Sequence, residues 1–205
     1  MCEGHSKTID ANFRSLEEKI SFLDELFRNG HSDEALHLCC CYIEAMGNNY
    51  YSGMGFGNKK CFVKIIQEYG DDELLCAVHP ARLLKSPEML KFTDVDILLS
   101  KVKGRVFSEK EVLELCAQVL ELDDFIQLEQ NLWRGTLAAI AYEELRNFLV
   151  HFSKTVNISF FNTTYRNNTV PDLNFERLYP VLQNILRQMK ELSKQTGTWM
   201  GRPFE

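Results

Sequence analysis

Arg146-Asn147-Phe148-Leu149-Val150-His151 gathers a guanidinium, an amide and an imidazole within six residues. Arginine offers a planar fork of N–H donors that fits phosphate oxygens. Histidine titrates near neutral pH and can take or give a proton, and asparagine can orient either group through hydrogen bonds. On a helix turning about 100° per residue, Glu143, Asn147 and His151 follow one another along one face, with Arg146 at its flank. Leu145, Phe148, Leu149 and Phe152 form the opposite stripe, which suits a core. An Arg and a His late on a helix also suit an ordinary surface, where cations favour the helix dipole. Against that, Val150 sits in the middle of the polar face, and Trp133, Ala139 and Ile140 precede it on the same side. A helix apolar on two sides is usually buried on two sides. The second side is expected to meet another helix of the chain or a partner chain.

The elements that must position these residues are helical. Phe13, Leu16, Ile20, Leu23 and Phe27 recur at spacings of three and four, predicting a helix that ends near Gly30. Ser32 reads as the N-cap of a second, with Leu36, Cys39, Ile43 and Met46 on its apolar stripe and a stop at Gly47. A glycine-punctuated loop over 50–57 leads into a third helix, Asn58 to Tyr69, closed by Gly70. Pro80 and Pro87 break 71–104 into short pieces, read as an irregular helical insertion over the bundle. Ser108 to Glu111 is a capping box for a fourth helix carrying Val112, Leu115, Cys116, Val119 and Leu120. One long helix is expected from Asp124 to Phe152. A polar loop over 153–174, part of which can pair as a short hairpin, precedes a final amphipathic helix, Phe175 to Lys194. With no Pro-, Gly- or Ser-rich linker, 1–205 reads as a single all-α domain. Short connections between the first helices favour an antiparallel bundle.

In this setting Arg146-Asn147-x-x-x-His151, late on a long helix of an all-helical domain, resembles the R-x4-H signature of HEPN domains (higher eukaryotes and prokaryotes nucleotide-binding). The polar residue straight after the arginine matches that family's commonest form. The motif is short, and the resemblance covers the rest of the bundle only loosely. It implies a metal-independent endoribonuclease acting as a homodimer, with two copies of the motif at the interface. The chemistry is coherent. Cleavage through the RNA 2′-hydroxyl needs one group to take a proton and another to give one. A two-fold interface repeats each residue, so two His151 side chains could share these roles. Arg146 would bind the phosphate and the charge growing in the transition state, Asn147 would orient the phosphate or His151, and Glu143 would position Arg146 or Asn147. Some HEPN domains bind without cutting, so a non-catalytic scaffold for RNA, a nucleotide or a partner protein is the alternative. A purely structural helical oligomer is a third. In one group of HEPN toxins a tyrosine two residues past the histidine is modified; Ser153 stands there, which puts that regulation in doubt.

Other residues add less. Gly53 to Lys60 leads into a helix N-terminus but matches neither the P-loop nor the dinucleotide spacing. It reads as a plain turn, with Lys59 and Lys60 available to hold RNA backbone. Tyr165, Arg166, Asn167 and Asn168 mix an aromatic, a cation and amides, which suits unpaired RNA bases. Cys39, Cys40 and Cys41 diverge around a helix and suit burial better than a shared metal. His31, His37 and His79 lack a second ligand at useful spacing, so neither metal nor cofactor is expected. Glu17-Glu18, Asp71-Asp72-Glu73 and Asp123-Asp124 suit solvated faces and helix starts better than paired catalytic acids. The net charge of -6 argues against a broad electrostatic grip on nucleic acid, but leaves room for one small basic cleft. Seven cysteines without framework spacing suggest reduced thiols. No signal-peptide pattern opens the sequence, and no stretch approaches the ~18 apolar residues of a membrane span. The expectation is a cytoplasmic protein.

Overall fold

The computed structural model describes residues 3–84, 98, 100–102, 104–146, 158, 160 and 163–200. Asn147, His151, the stripe residues Phe148, Leu149 and Phe152, Val150 and Ser153 lie outside them, as do residues 85–97, 99 and 103 of the expected insertion.

The threes-and-fours spacing does make the first helix, α1 (Glu3–Arg28), and buries Ile9, Phe13, Ile20 and Leu23. Helix α2 spans Ser32–Tyr50. Ser32 is not its cap, because the Ala35 N–H donates to the His31 carbonyl and draws Ser32 into the first turn. Gly47 is not its stop either. A Cβ there would lie 2.6 Å from the Cys61 carbonyl oxygen, so glycine is what lets α2 approach α3 (Asn58–Tyr69). Two short helices follow, α4 (Glu73–Cys76) and α5 (Pro80–Leu83), then α6 (Glu109–Cys116) behind the predicted capping box. There the Ser108 hydroxyl accepts from the Glu111 N–H, and the Glu111 carboxylate accepts from the Ser108 N–H. A minimal hairpin pairs β1 (Thr164–Tyr165) with β2 (Asn168–Thr169). Its two corner residues, Arg166 and Asn167, have φ of 48° and 66°, the sense a two-residue hairpin turn requires.

Apart from that hairpin, the described residues form a helical bundle. Helices α1, α2 and α3 pack with the last helix, α9 (Phe175–Thr196), around one apolar cluster. A second, smaller cluster joins Val78, Leu83, Leu84, Leu98 and Val102 to Phe107, Val112, Cys116, Leu128 and Leu132. The segment expected to lie irregularly over the bundle thus supplies half of a core of its own.

The long helix expected from Asp124 to Phe152 does not form. The chain runs as α7 (Leu122–Asn131), a 3-10 turn (Leu132–Gly135), α8 (Leu137–Ile140) and a π-helical turn (Ala141–Arg146). The break has a packing cause. A Cβ at Gly135 would meet Leu83 Cβ at 2.6 Å, so the backbone there lies flat on α5. Thr136 is extended (ψ 154°), and its hydroxyl caps α8 by accepting from the Ala139 N–H. The backbone groups that leave the helix find partners in the neighbouring strand-like segment. The His79 N–H donates to Gly135, and the Leu137 N–H donates to Ala77. Helix α9 (Phe175–Thr196) starts at Asn174, whose side chain accepts from the Arg177 N–H, and buries Leu178, Val181, Leu182, Ile185 and Met189 as expected.

Candidate functional site: a held guanidinium beside a cationic cleft

Arg146, at the end of the π-helical turn, is gripped by Glu44 from the middle of α2. Arg146 Nε donates to Glu44 Oε2 at 2.6 Å and Nη2 donates to Oε1 at 3.2 Å. Only 20% of the Arg146 side chain and 8% of the Glu44 side chain are exposed, so this is a largely desolvated fork. The Arg146 guanidinium carbon also lies 5.3 Å from the centre of the Tyr142 ring, and the Tyr142 hydroxyl makes a long contact of 3.5 Å to the same carboxylate. Burial alone would lower the Arg146 pKa, but the Glu44 hydrogen bonds and charge raise it instead, so the guanidinium is locked in its cationic form. Burial pushes the Cys40 thiol up to about 12 and raises Cys41; in both, Arg146 pulls down and Glu44 pushes up. These neighbours are inert as thiolates.

Glu143, expected to position Arg146 or Asn147, turns instead to α3, where Lys59 Nζ donates to its Oε1 at 2.5 Å. Glu144 pairs with Arg82. Of the two residues Glu143 was expected to position, Arg146 is held by Glu44 instead, and Asn147 lies outside the described residues. The apolar second side of this stretch is filled within the chain. Leu137, Ala138, Ala139, Ile140 and Ala141 are all buried, with α8 packed against α3 and α4.

Lys59 and Lys60 do come to the neighbourhood of Arg146. They line an open cleft of about 800 Å³ with Phe56, Asn58, Trp133, Arg134 and Tyr142. Trp133, expected on the face of a continuous helix, projects from the 3-10 turn into this cleft. Tyr142 joins the two places, since it is among the residues lining the cleft and its ring contacts the Arg146 guanidinium. Tyr165 and Arg166 stand elsewhere. They line a separate cleft of about 400 Å³ with Glu68, Glu73 and Glu109, and Arg166 Nη1 donates to Glu73 Oε2 at 2.6 Å. The acids around them leave little attraction for RNA phosphate.

Among the described residues no three His, Cys, Asp or Glu side chains converge as a metal site. Cys39, Cys40, Cys41, Cys61, Cys76 and Cys116 are free, and no described helix is long and apolar enough to cross a membrane. In comparisons with known proteins the chain matches no family model, no curated protein and no solved structure.

Proposed function

We propose that the chain is an HEPN-like protein of the cytoplasm that cuts RNA without a metal, working as a homodimer with Arg146, Asn147 and His151 at the shared site. The observation that carries this reading is the cleft of cations and aromatic rings that opens beside Arg146 through Tyr142. In the reaction the RNA 2′-hydroxyl attacks the adjacent phosphorus as one His151 removes its proton. The bond to the 5′-oxygen breaks as the second His151 protonates it, leaving a 2′,3′-cyclic phosphate. Arg146, held cationic by Glu44, meets the charge that grows on the phosphoryl oxygens.

A second reading keeps the RNA and drops the cut. Glu44 already occupies the Nε and Nη2 edge with which an arginine forks a phosphate. A guanidinium held in this way suits a binding protein whose motif is structural.

The test is incubation of the purified full-length protein with varied single-stranded RNAs in EDTA, with sedimentation to read its oligomeric state. Cyclic-phosphate products that vanish in His151→Ala and in Arg146→Ala, from a dimer, uphold the first reading. Binding without any product upholds the second.

A further inference from the structure

We propose that the outer face of α7 is a docking site for a basic amphipathic helix of a partner protein. That helix seats two apolar side chains on Leu122 and Ile126 and sets its lysines or arginines against the surrounding carboxylates.

Between Lys110 and Arg134 the chain has no lysine, arginine or histidine, but it has six carboxylates, Glu111, Glu114, Glu121, Asp123, Asp124 and Glu129. An acidic first turn suits the helix dipole and accounts for Asp123 and Asp124. It does not account for the apolar side chains set among the acids. Leu122 is 73% exposed, more than any other large apolar side chain among the described residues, and Ile126 is 42% exposed. A single exposed leucine is ordinary. Two apolar side chains four residues apart on a helix lie on one face and make a continuous surface.

Helix α7 does not need this surface to stay in place. On its other side Leu128 is buried and Phe125 packs on the smaller apolar cluster, so the helix is anchored without Leu122 or Ile126. Glu129, seven residues beyond Leu122, continues the outer face, and Glu121 and Asp123 flank its start; all three are exposed. Glu114 on α6 reaches Lys110 at 3.8 Å, whereas Glu121, Asp123, Asp124 and Glu129 make no ion pair among the described residues. A face that is apolar along its middle and acidic at its rim is complementary to a helix that is apolar along its middle and basic at its rim.

The same charges disfavour other occupants. Two-fold pairing with a second copy would lay these carboxylates against their own equivalents. Nucleic-acid phosphates and anionic lipid headgroups would be repelled in the same way. An extended strand docks on an open sheet edge, which a helix does not offer. Leu122 and Ile126, about one turn and roughly 6 Å apart along the axis, instead match apolar residues recurring at three and four along a second helix.

The test uses the full-length protein and a labelled peptide of about 18 leucines and lysines patterned as an amphipathic helix. A second peptide of the same composition, with leucine and lysine in strict alternation, has no helical stripe. Fluorescence anisotropy should show saturable binding of the first peptide, at least about 10-fold tighter than that of the second. Leu122→Ser combined with Ile126→Ser should weaken it by at least about 10-fold. Asp123→Asn combined with Glu129→Gln should weaken it several-fold and flatten its dependence on salt. All four side chains are exposed, so both variants should keep the wild-type circular dichroism and melting. The docking site is refuted if the two peptides bind alike, if neither binds saturably, or if the Leu122 and Ile126 variant binds as well as its parent. A wild-type dimer that this variant splits into monomers in sedimentation would make the face a contact between copies and equally refute it. So would binding to phosphatidylglycerol vesicles that the variant abolishes. No RNA enters these measurements, so failure of the cleavage reading and failure of this one are read separately.

Discussion

Replacing Glu44 by leucine should be the most damaging single polar substitution in the described part of the chain. The change leaves the Arg146 guanidinium largely buried and strips it of both its Glu44 hydrogen bonds, at 2.6 and 3.2 Å. Breaking one side of a buried pair costs about 3–5 kcal/mol. Arg146 keeps a fifth of its side chain exposed and can turn part of its charge to water, which moves the expectation to the lower end, about 3 kcal/mol. For a chain of this length that lowers the melting temperature by roughly 6–12 °C. The double variant Glu44→Leu with Arg146→Met removes both charges and should recover most of the loss, because the cost lies in a buried cation stripped of its carboxylate rather than in the pair. Urea unfolding followed by far-UV circular dichroism measures both. A loss below about 1 kcal/mol for the single variant, or a double variant as unstable as the two single losses added together, would refute the assignment of a desolvated fork.

Two further outcomes follow from packing and capping. Gly135→Ala pushes a methyl group into Leu83 Cβ, 2.6 Å away in a position backed by Val78; it should cost about 1–3 kcal/mol by thermal melting. Ser108→Ala removes the α6 cap and should cost about 1 kcal/mol near neutral pH. The Ser108 hydroxyl, then its backbone N–H, hold the Glu111 carboxyl below its ordinary value. A depressed acid stabilises the fold fully above its unfolded pKa of about 4.3, and this stabilisation fades as pH falls through the depressed folded value. The gap between wild type and Ser108→Ala should therefore narrow below about pH 4, as read by denaturant titration at several pH values.

The parts of this fold that could be read in advance are those decided by local chemistry. Ser108 and Glu111 cap each other within one turn, and the stripe from Leu178 to Met189 needs only its own spacing to declare a helix. The stretch from Asp124 to Phe152 misled because periodicity registers apolar spacing, not clearance. Nothing in the order Trp133-Arg134-Gly135-Thr136 announces that Leu83 will press on Gly135, since that contact joins segments far apart in sequence. Glu44 left a trace that went unused. It continues the four-residue spacing from Leu36 and Cys40 into the buried stripe of α2, and a carboxylate in such a stripe requires a cation. Which cation is a property of the tertiary fold. Lys59 and Lys60 were legible as a basic pair ahead of a helix. Their meeting with Trp133 and Arg134 was not, because the break that frees Trp133 from a helical face is itself a long-range effect.

The pairing of Val78 with both Phe107 and Thr136 bears on how the chain acquires this shape. Val78 and Phe107 exchange two backbone hydrogen bonds, at 2.7 and 2.9 Å, while the residues on either side of Val78 bond to Gly135 and Leu137. Three segments distant along the chain must meet at one residue, so two large loops close together and their entropy is lost before either apolar cluster is complete. The α1–α2 pair can condense early from neighbouring sequence. The cleft walls contributed by Trp133 and Arg134 can be set only in that later, slower step.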